Sequence, residues 1–182
     1  MRYFISIDIT DEDVKQSIMK FTSDIESLGD TKTVPPEKLH ITVFYIGERE
    51  KSDESDLRSS FIDSCEGLRV GEFTCNLENA GVFPHMKYIE TIWIGAKPRE
   101  KLDKLHMNFS EYFNRENEHD FVPHVTVARV RGIGPDEKTV LQEEIERNQR
   151  EFGTFTVDRV RLKRSAAAEG GRVYHDMEVY EL

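Results

Sequence analysis

The stretch His124-Val125-Thr126-Val127 decides how this chain is read, because His40-Ile41-Thr42-Val43 sets the same pattern 84 residues earlier. Each copy lies in a run of alternating, β-branched residues, Leu39 to Ile46 and Val122 to Val130, which reads as a half-buried strand. Side chains alternate along a strand, so His40 and Thr42 project from one face while Ile41 and Val43 project from the other. His124 and Thr126 are placed in the same way. A single His-x-Thr in a strand is an ordinary accident of sequence. Two copies carry meaning if they hold equivalent places in a repeated architecture.

The rest of the chain supplies that repeat. Tyr3 to Ile9 reads as a strand, and Thr10-Asp11-Glu12-Asp13 gives a cap and an acidic first turn to a helix. Val14, Ile18, Phe21, Ile25 and Leu28 form its apolar stripe, and Gly29 stands where it should end. A turn-rich segment with Val34-Pro35-Pro36 leads to the first His strand, which Gly47 closes. A charged stretch, a weaker helix over Glu54 to Cys65 and a strand from Phe73 to Val82 follow. The second half repeats this order: a strand at Tyr88 to Ile94, a helix over Pro98 to Phe113, the second His strand, a helix over Pro135 to Asn148, and a strand at Phe155 to Leu162. A shift of 84 sets Ile5 on Ile89, His40 on His124, Thr42 on Thr126 and Leu57 on Leu141 without a gap. The expectation is a single α+β domain over 1–182. It has two intertwined lobes related by an approximate twofold, each a mainly antiparallel sheet backed by helices, with a groove between them.

At the C-terminus, Thr156 to Lys163 alternates, with Arg159, Arg161 and Lys163 on one face and Val160 and Leu162 on the other. Ala166 to Gly171 reads as a turn into a last strand, Val173 to Tyr180, with Gly170 and Gly171 free to take positive φ. The basic face is a solvated sheet surface or a positive patch beside the groove.

Composition narrows the function. The chain has 182 residues, 37% hydrophobic and 33% charged, which suits a globular protein with a heavily charged surface. No apolar run spans a bilayer, and Ile5-Ser6-Ile7-Asp8-Ile9 alternates with a charge where a signal peptide would stay apolar, so a cytoplasmic protein with no membrane partner is expected. Cys65 and Cys75 make neither a disulfide framework nor a zinc pattern and read as reduced thiols. A net charge of −10 argues against broad nonspecific binding to nucleic-acid backbone, while leaving room for a nucleotide or RNA end in a locally basic cleft.

Two imidazoles on facing strands suit proton transfer near neutral pH, one taking a proton from an attacking water and the other giving one to a departing oxygen. In-line displacement at phosphorus needs these groups on opposite sides of the phosphate. Hydroxyls of Thr42 and Thr126 are placed to hold nonbridging oxygens, and an arginine would offset the charge that builds up. Such a site needs no metal. His85, His106, His119 and His175 have no paired spacing that would make one. Phe44 shares the face of His40 by simple alternation and is either a core aromatic or a base-stacking residue.

Both motifs, together with Arg2 to Ile7, Gly81-Val82-Phe83-Pro84 and Phe121-Val122-Pro123 ahead of the second His strand, resemble the 2H phosphoesterases. Within them the chain is similar to the RNA 2′,3′-cyclic phosphodiesterases, also called 2′-5′ RNA ligases. The resemblance covers nearly the whole chain and implies a bilobal α+β fold and no cofactor. The implied activity is hydrolysis of a 2′,3′-cyclic phosphate, on an RNA end or a nucleotide, to a 2′-phosphate. It further implies His40 as the acid, His124 as the base, and Thr42, Thr126 and Arg129 as phosphate ligands, with Tyr174 lining the groove. No obligate protein partner is evident in the sequence, and a monomer is expected. Arg129 lies five residues beyond His124, an odd step that a regular strand would turn to the opposite face, so a bulge or strand end must intervene. Alternatives are a 2′-5′ RNA ligase, with a 5′-hydroxyl in place of water, and a noncatalytic nucleotide-binding module on the same fold.

Overall fold

The structure, a computed structural model, describes residues 1–114, 120–169 and 171–182. Its strands are β1 (Arg2–Asp8), β2 (Thr31–Thr33), β3 (His40–Glu48), β4 (Phe73–His85), β5 (Tyr88–Lys97), β6 (His124–Val130), β7 (Glu151–Val157), β8 (Arg159–Ala168) and β9 (Gly171–Glu181). Its helices are α1 (Glu12–Ile25), α2 (Glu54–Glu66), α3 (Arg99–Tyr112) and α4 (Pro135–Arg147). The expected positions of His119 and Gly170 lie outside the described residues.

The strands form one antiparallel sheet in the order β7-β4-β5-β6-β3-β1-β8-β9, with β2 paired to β6. The order is balanced about the seam between β6 and β3. Outward from it, β3-β1-β8-β9 makes one lobe and β6-β5-β4-β7 the other, so the α+β bilobal expectation holds. The lobes are interleaved: β4, from the first half of the chain, belongs to the second lobe, and β8 and β9 complete the first. Helices α2 and α3 cover the first lobe, meeting through stacked Phe61 and Phe109, while α1 and α4 pack on the second.

Local chemistry explains these elements. Asp11 caps α1 by accepting a bond from the Val14 N–H at 2.9 Å, a contact typically worth about 1 kcal/mol. Val14, Ile18, Phe21 and Ile25 are all buried along its inner stripe. The helix stops at Ile25, a turn before Gly29, so Leu28 packs on the core from outside the helix. Strand β1 is buried from Tyr3 to Ile7, as expected of a central strand with helices behind it and the groove in front.

Other boundaries also differ from the sequence expectation. Phe155 to Leu162 is not one strand: β7 ends at Val157, the chain crosses lobes at Asp158, and β8 begins at Arg159. Alternation runs through both strands, so periodicity hides the break. Ala166 to Ala168 continue β8 rather than turning, and Gly171, at φ +139°, takes the left-handed conformation after them. Thr31–Thr33, read as turn, is the short strand β2.

Candidate active site

The seam positions the site. Strands β3 and β6 meet antiparallel with Ile41 opposite Val125, both fully buried. Alternation about that pair turns His40, Thr42, His124 and Thr126 to the opposite face, His40 across from Thr126 and Thr42 across from His124. Diagonal positions of this kind stand roughly 7–8 Å apart at the backbone. His124 disfavours a proton on His40 across this gap. All four residues line one cleft of about 230 Å³.

Both rings are fixed in the same way. His40 Nδ1 lies 2.7 Å from the carbonyl of Lys38, and His124 Nδ1 lies 2.6 Å from that of Val122. A carbonyl only accepts, so each Nδ1 carries its proton and donates, which leaves Nε2 as the working nitrogen. Aromatic rings hold the other faces. Phe4 and Tyr174 sit 5.2 and 5.3 Å from His40, and Phe83 and Trp93 lie 5.1 and 6.0 Å from His124. Gly81 makes the second arrangement possible, since a Cβ there would stand 2.3 Å from the Trp93 ring.

Burial pushes both imidazoles below their ordinary value. Their charged neighbours differ. His40 faces the Asp8 carboxylate, which favours its proton and outweighs the more weakly opposing Lys163 ammonium. His124 faces Arg129, which disfavours a proton. Asp8 is Cα-paired with His40 and is itself held by Lys163 at 2.7 Å and Arg161 at 3.3 Å.

Bulges settle two of the expectations. Opposite β5, Trp93 pairs with Thr126 and Ile92 with Ala128, so Val127 is the extra residue. Parity flips there, and Arg129 returns to the groove face beside Thr126, its guanidinium bonded to Thr91 Oγ1 at 3.3 Å. The first motif has the matching bulge: Ser6 pairs with Thr42 and Ile5 with Phe44, leaving Val43 as the extra residue. The expectation that Phe44 shares the face of His40 therefore fails. Phe44 is buried and stacked on Phe113 at 5.8 Å, and Tyr45 takes the groove position instead. Tyr45 and Arg129 are 84 residues apart and hold equivalent places.

Tyr174 lines the cleft, as do Lys38, Arg172 and Arg2, which carry no motif. The expected basic face of β8 does not make the positive patch. Arg159 pairs with Asp158, and Arg161 and Lys163 are taken up by Asp8 and Asp176. The odd step to Arg129 is the one sequence signal of a bulge; applied at the shift of 84, it also points to Tyr45. Cys65 and Cys75 are buried away from the cleft, their thiols pushed up to about 12 by burial. His106 stacks on Phe121 at 4.2 Å, also outside the cleft.

Residues 12–169 match the 2′-5′ RNA ligase superfamily. Among curated proteins the chain is similar to the RNA 2′,3′-cyclic phosphodiesterase of Methanothermobacter thermautotrophicus, 32% identical over 100% of this chain and 99% of the relative. It is also similar to that of Methanocaldococcus jannaschii, 32% identical over 96% of each. Among solved structures it resembles the TT0787 protein of Thermus thermophilus, with a TM-score of 0.77 and 21% identity over 100% of this chain and 98% of the other. Escherichia coli LigT in complex with 3′-AMP superposes with a TM-score of 0.74 at 19% identity, covering 100% and 97%. With the match spanning most of its length and full-length relatives at 32% identity, the chain belongs to the 2′-5′ RNA ligase superfamily.

Proposed function

We propose that the cleft hydrolyses RNA or nucleotide 2′,3′-cyclic phosphates to 2′-phosphates, by acid–base catalysis between His40 and His124 and without a metal. His124 Nε2 takes a proton from water as the water oxygen bonds to phosphorus. The bond from phosphorus to O3′ breaks, and His40 Nε2 gives its proton to that oxygen. Thr42 and Thr126 donate to the nonbridging oxygens, and Arg129 offsets the charge that grows there.

The observation that carries this reading is a pair of imidazoles, anchored alike on facing strands, that line one cleft. Each Nδ1 is tied to a carbonyl two residues upstream, while Asp8 favours the proton on His40 and Arg129 disfavours it on His124. An acid and a base, rather than two equal bases, are what one displacement at phosphorus uses. The names of the curated relatives support the same activity and RNA as the substrate. The superfamily's description also speaks for ligation, in which a 5′-hydroxyl replaces water and leaves a 2′-5′ linkage.

Phosphorus NMR of a 2′,3′-cyclic nucleotide incubated with the protein in excess chelator tests the proposal. A 2′-phosphate is the expected product. A 3′-phosphate would overturn the histidine roles, and absence of turnover would favour a nucleotide-binding module.

A further inference from the structure

The cleft holds more positive charge than one cyclic phosphate needs. The chain carries 35 acidic against 25 basic residues, yet the described residues lining the cleft include Arg2, Lys38, Arg129 and Arg172 and no carboxylate. Arg2 pairs with Glu48 at the rim. Among the described residues the other three bond only neutral oxygens: Arg129 to Thr91, Lys38 Nζ to the Arg172 carbonyl at 3.0 Å, and Arg172 Nε to Ser165 Oγ at 2.6 Å. The neighbouring cations of β8 are ion-paired, Arg161 and Lys163 to Asp8 and Asp176, and Arg164 to Glu54. Carboxylates are therefore supplied to these neighbouring cations and to Arg2, while among the described residues Lys38, Arg129 and Arg172 have none. A cyclic phosphate carries a single negative charge, which Arg129 meets on the second-lobe side. Lys38 and Arg172 stand on the first-lobe side with no such demand on them.

Resting on the proposed activity, we propose that Lys38 and Arg172 form a second phosphate subsite for the 5′-phosphate of the nucleotide that bears the cyclic end, making an RNA chain end the preferred substrate over a 5′-hydroxyl nucleoside 2′,3′-cyclic phosphate. Geometry gives the reach. Arg172 and Tyr174 are two residues apart on β9 and share a face, about 6.6 Å along the strand. Tyr174 in turn stands 5.3 Å from His40. The guanidinium is held on Ser165, the strand partner of Tyr174, and so lines the same cleft as His40, with Phe4, Tyr45 and Tyr174 as its other walls to face the ribose and base. Guanidinium and ammonium groups without carboxylate partners are suited to a phosphate, the first as a fork and the second as a point charge.

The test compares kcat/KM for cytidine 2′,3′-cyclic phosphate, its 5′-phosphorylated form and a dinucleotide with the same cyclic end. The wild-type protein should favour both 5′-phosphate substrates by on the order of 10-fold or more, chiefly through KM, with the advantage shrinking at high salt. Arg172→Ala and Lys38→Ala should each lower that ratio severalfold, and the double variant should bring it near one. Arg172→Lys should retain part of it, which a merely structural loss would not. Equal efficiency on all three substrates in the wild type, or variants that lose activity on all three in proportion, would overturn the subsite and leave the cyclic phosphodiesterase reading intact. Failure to turn over any of them would overturn that reading itself.

Discussion

Nδ1 of His106 lies 2.7 Å from the carbonyl oxygen of Val43, the extra residue of the bulge in the first His strand. A bulge leaves its extra residue out of the ladder, and here a side chain from α3 satisfies the carbonyl. The second lobe solves the same problem with backbone: the Val34 N–H donates to the Val127 carbonyl at 2.8 Å. The two bulges that aim Tyr45 and Arg129 into the groove are thus each pinned through the carbonyl of the extra residue. His106→Ala should destabilise the protein by about 1–3 kcal/mol in urea unfolding, the usual consequence of orphaning a buried acceptor. It should also raise KM more than it lowers kcat, with partial rescue by His106→Gln.

Phe44 and Tyr45 are neighbours with opposite duties. Phe44→Ala opens a cavity against Phe113 and His106 and should cost about 3–5 kcal/mol of stability. Tyr45→Ala should leave the unfolding midpoint nearly unchanged while raising KM severalfold. Steady-state kinetics and denaturation on the two variants separate these outcomes.

Much of the fold is legible in the sequence because its signals are local. The shift of 84 between the motifs, the apolar stripe of α1 and the alternation of β3 and β6 are patterns that a window of residues contains. What escapes depends on partners far along the chain. A bulge is invisible to alternation, which puts Phe44 in the groove and passes over Tyr45. The odd step from His124 to Arg129 is legible only as a conflict that a bulge resolves. The crossing at Asp158 lies inside continuous alternation. The ion pairs that neutralise Arg161 and Lys163 come from Asp8 and Asp176, which adjoin them in the sheet but not in sequence.

Burial holds both imidazoles below about 6.5, their ordinary value. Between that value and the depressed folded ones, the unfolded chain binds protons that the folded chain refuses. Stability should therefore rise with pH through this window and level off above it. The double variant His40→Asn/His124→Asn should flatten that part of the curve in urea titrations. In kinetics, kcat/KM should peak on the acid side of about 6.5, because it reports the free enzyme's acid and base. Asp8→Asn removes the charge that favours the proton on His40 and should move the alkaline limb of the profile to lower pH.

The thiols of Cys65 and Cys75, buried and pushed up to about 12, should resist modification in the native state. A thiol reagent should label neither at neutral pH until denaturant is added, when both should react. Rapid labelling of either in the native protein would contradict the packing around it.

The central claim is that two rings anchored on β3 and β6 work on one phosphorus from opposite sides. Its most direct test is the single-turnover rate on a 2′,3′-cyclic phosphate for His40→Ala, His124→Ala and the double variant, with folding checked by circular dichroism. Each single change should slow the reaction by on the order of 100-fold or more, and the double change should cost less than the product of the two. A loss below about threefold at either position in a folded protein would contradict the claim.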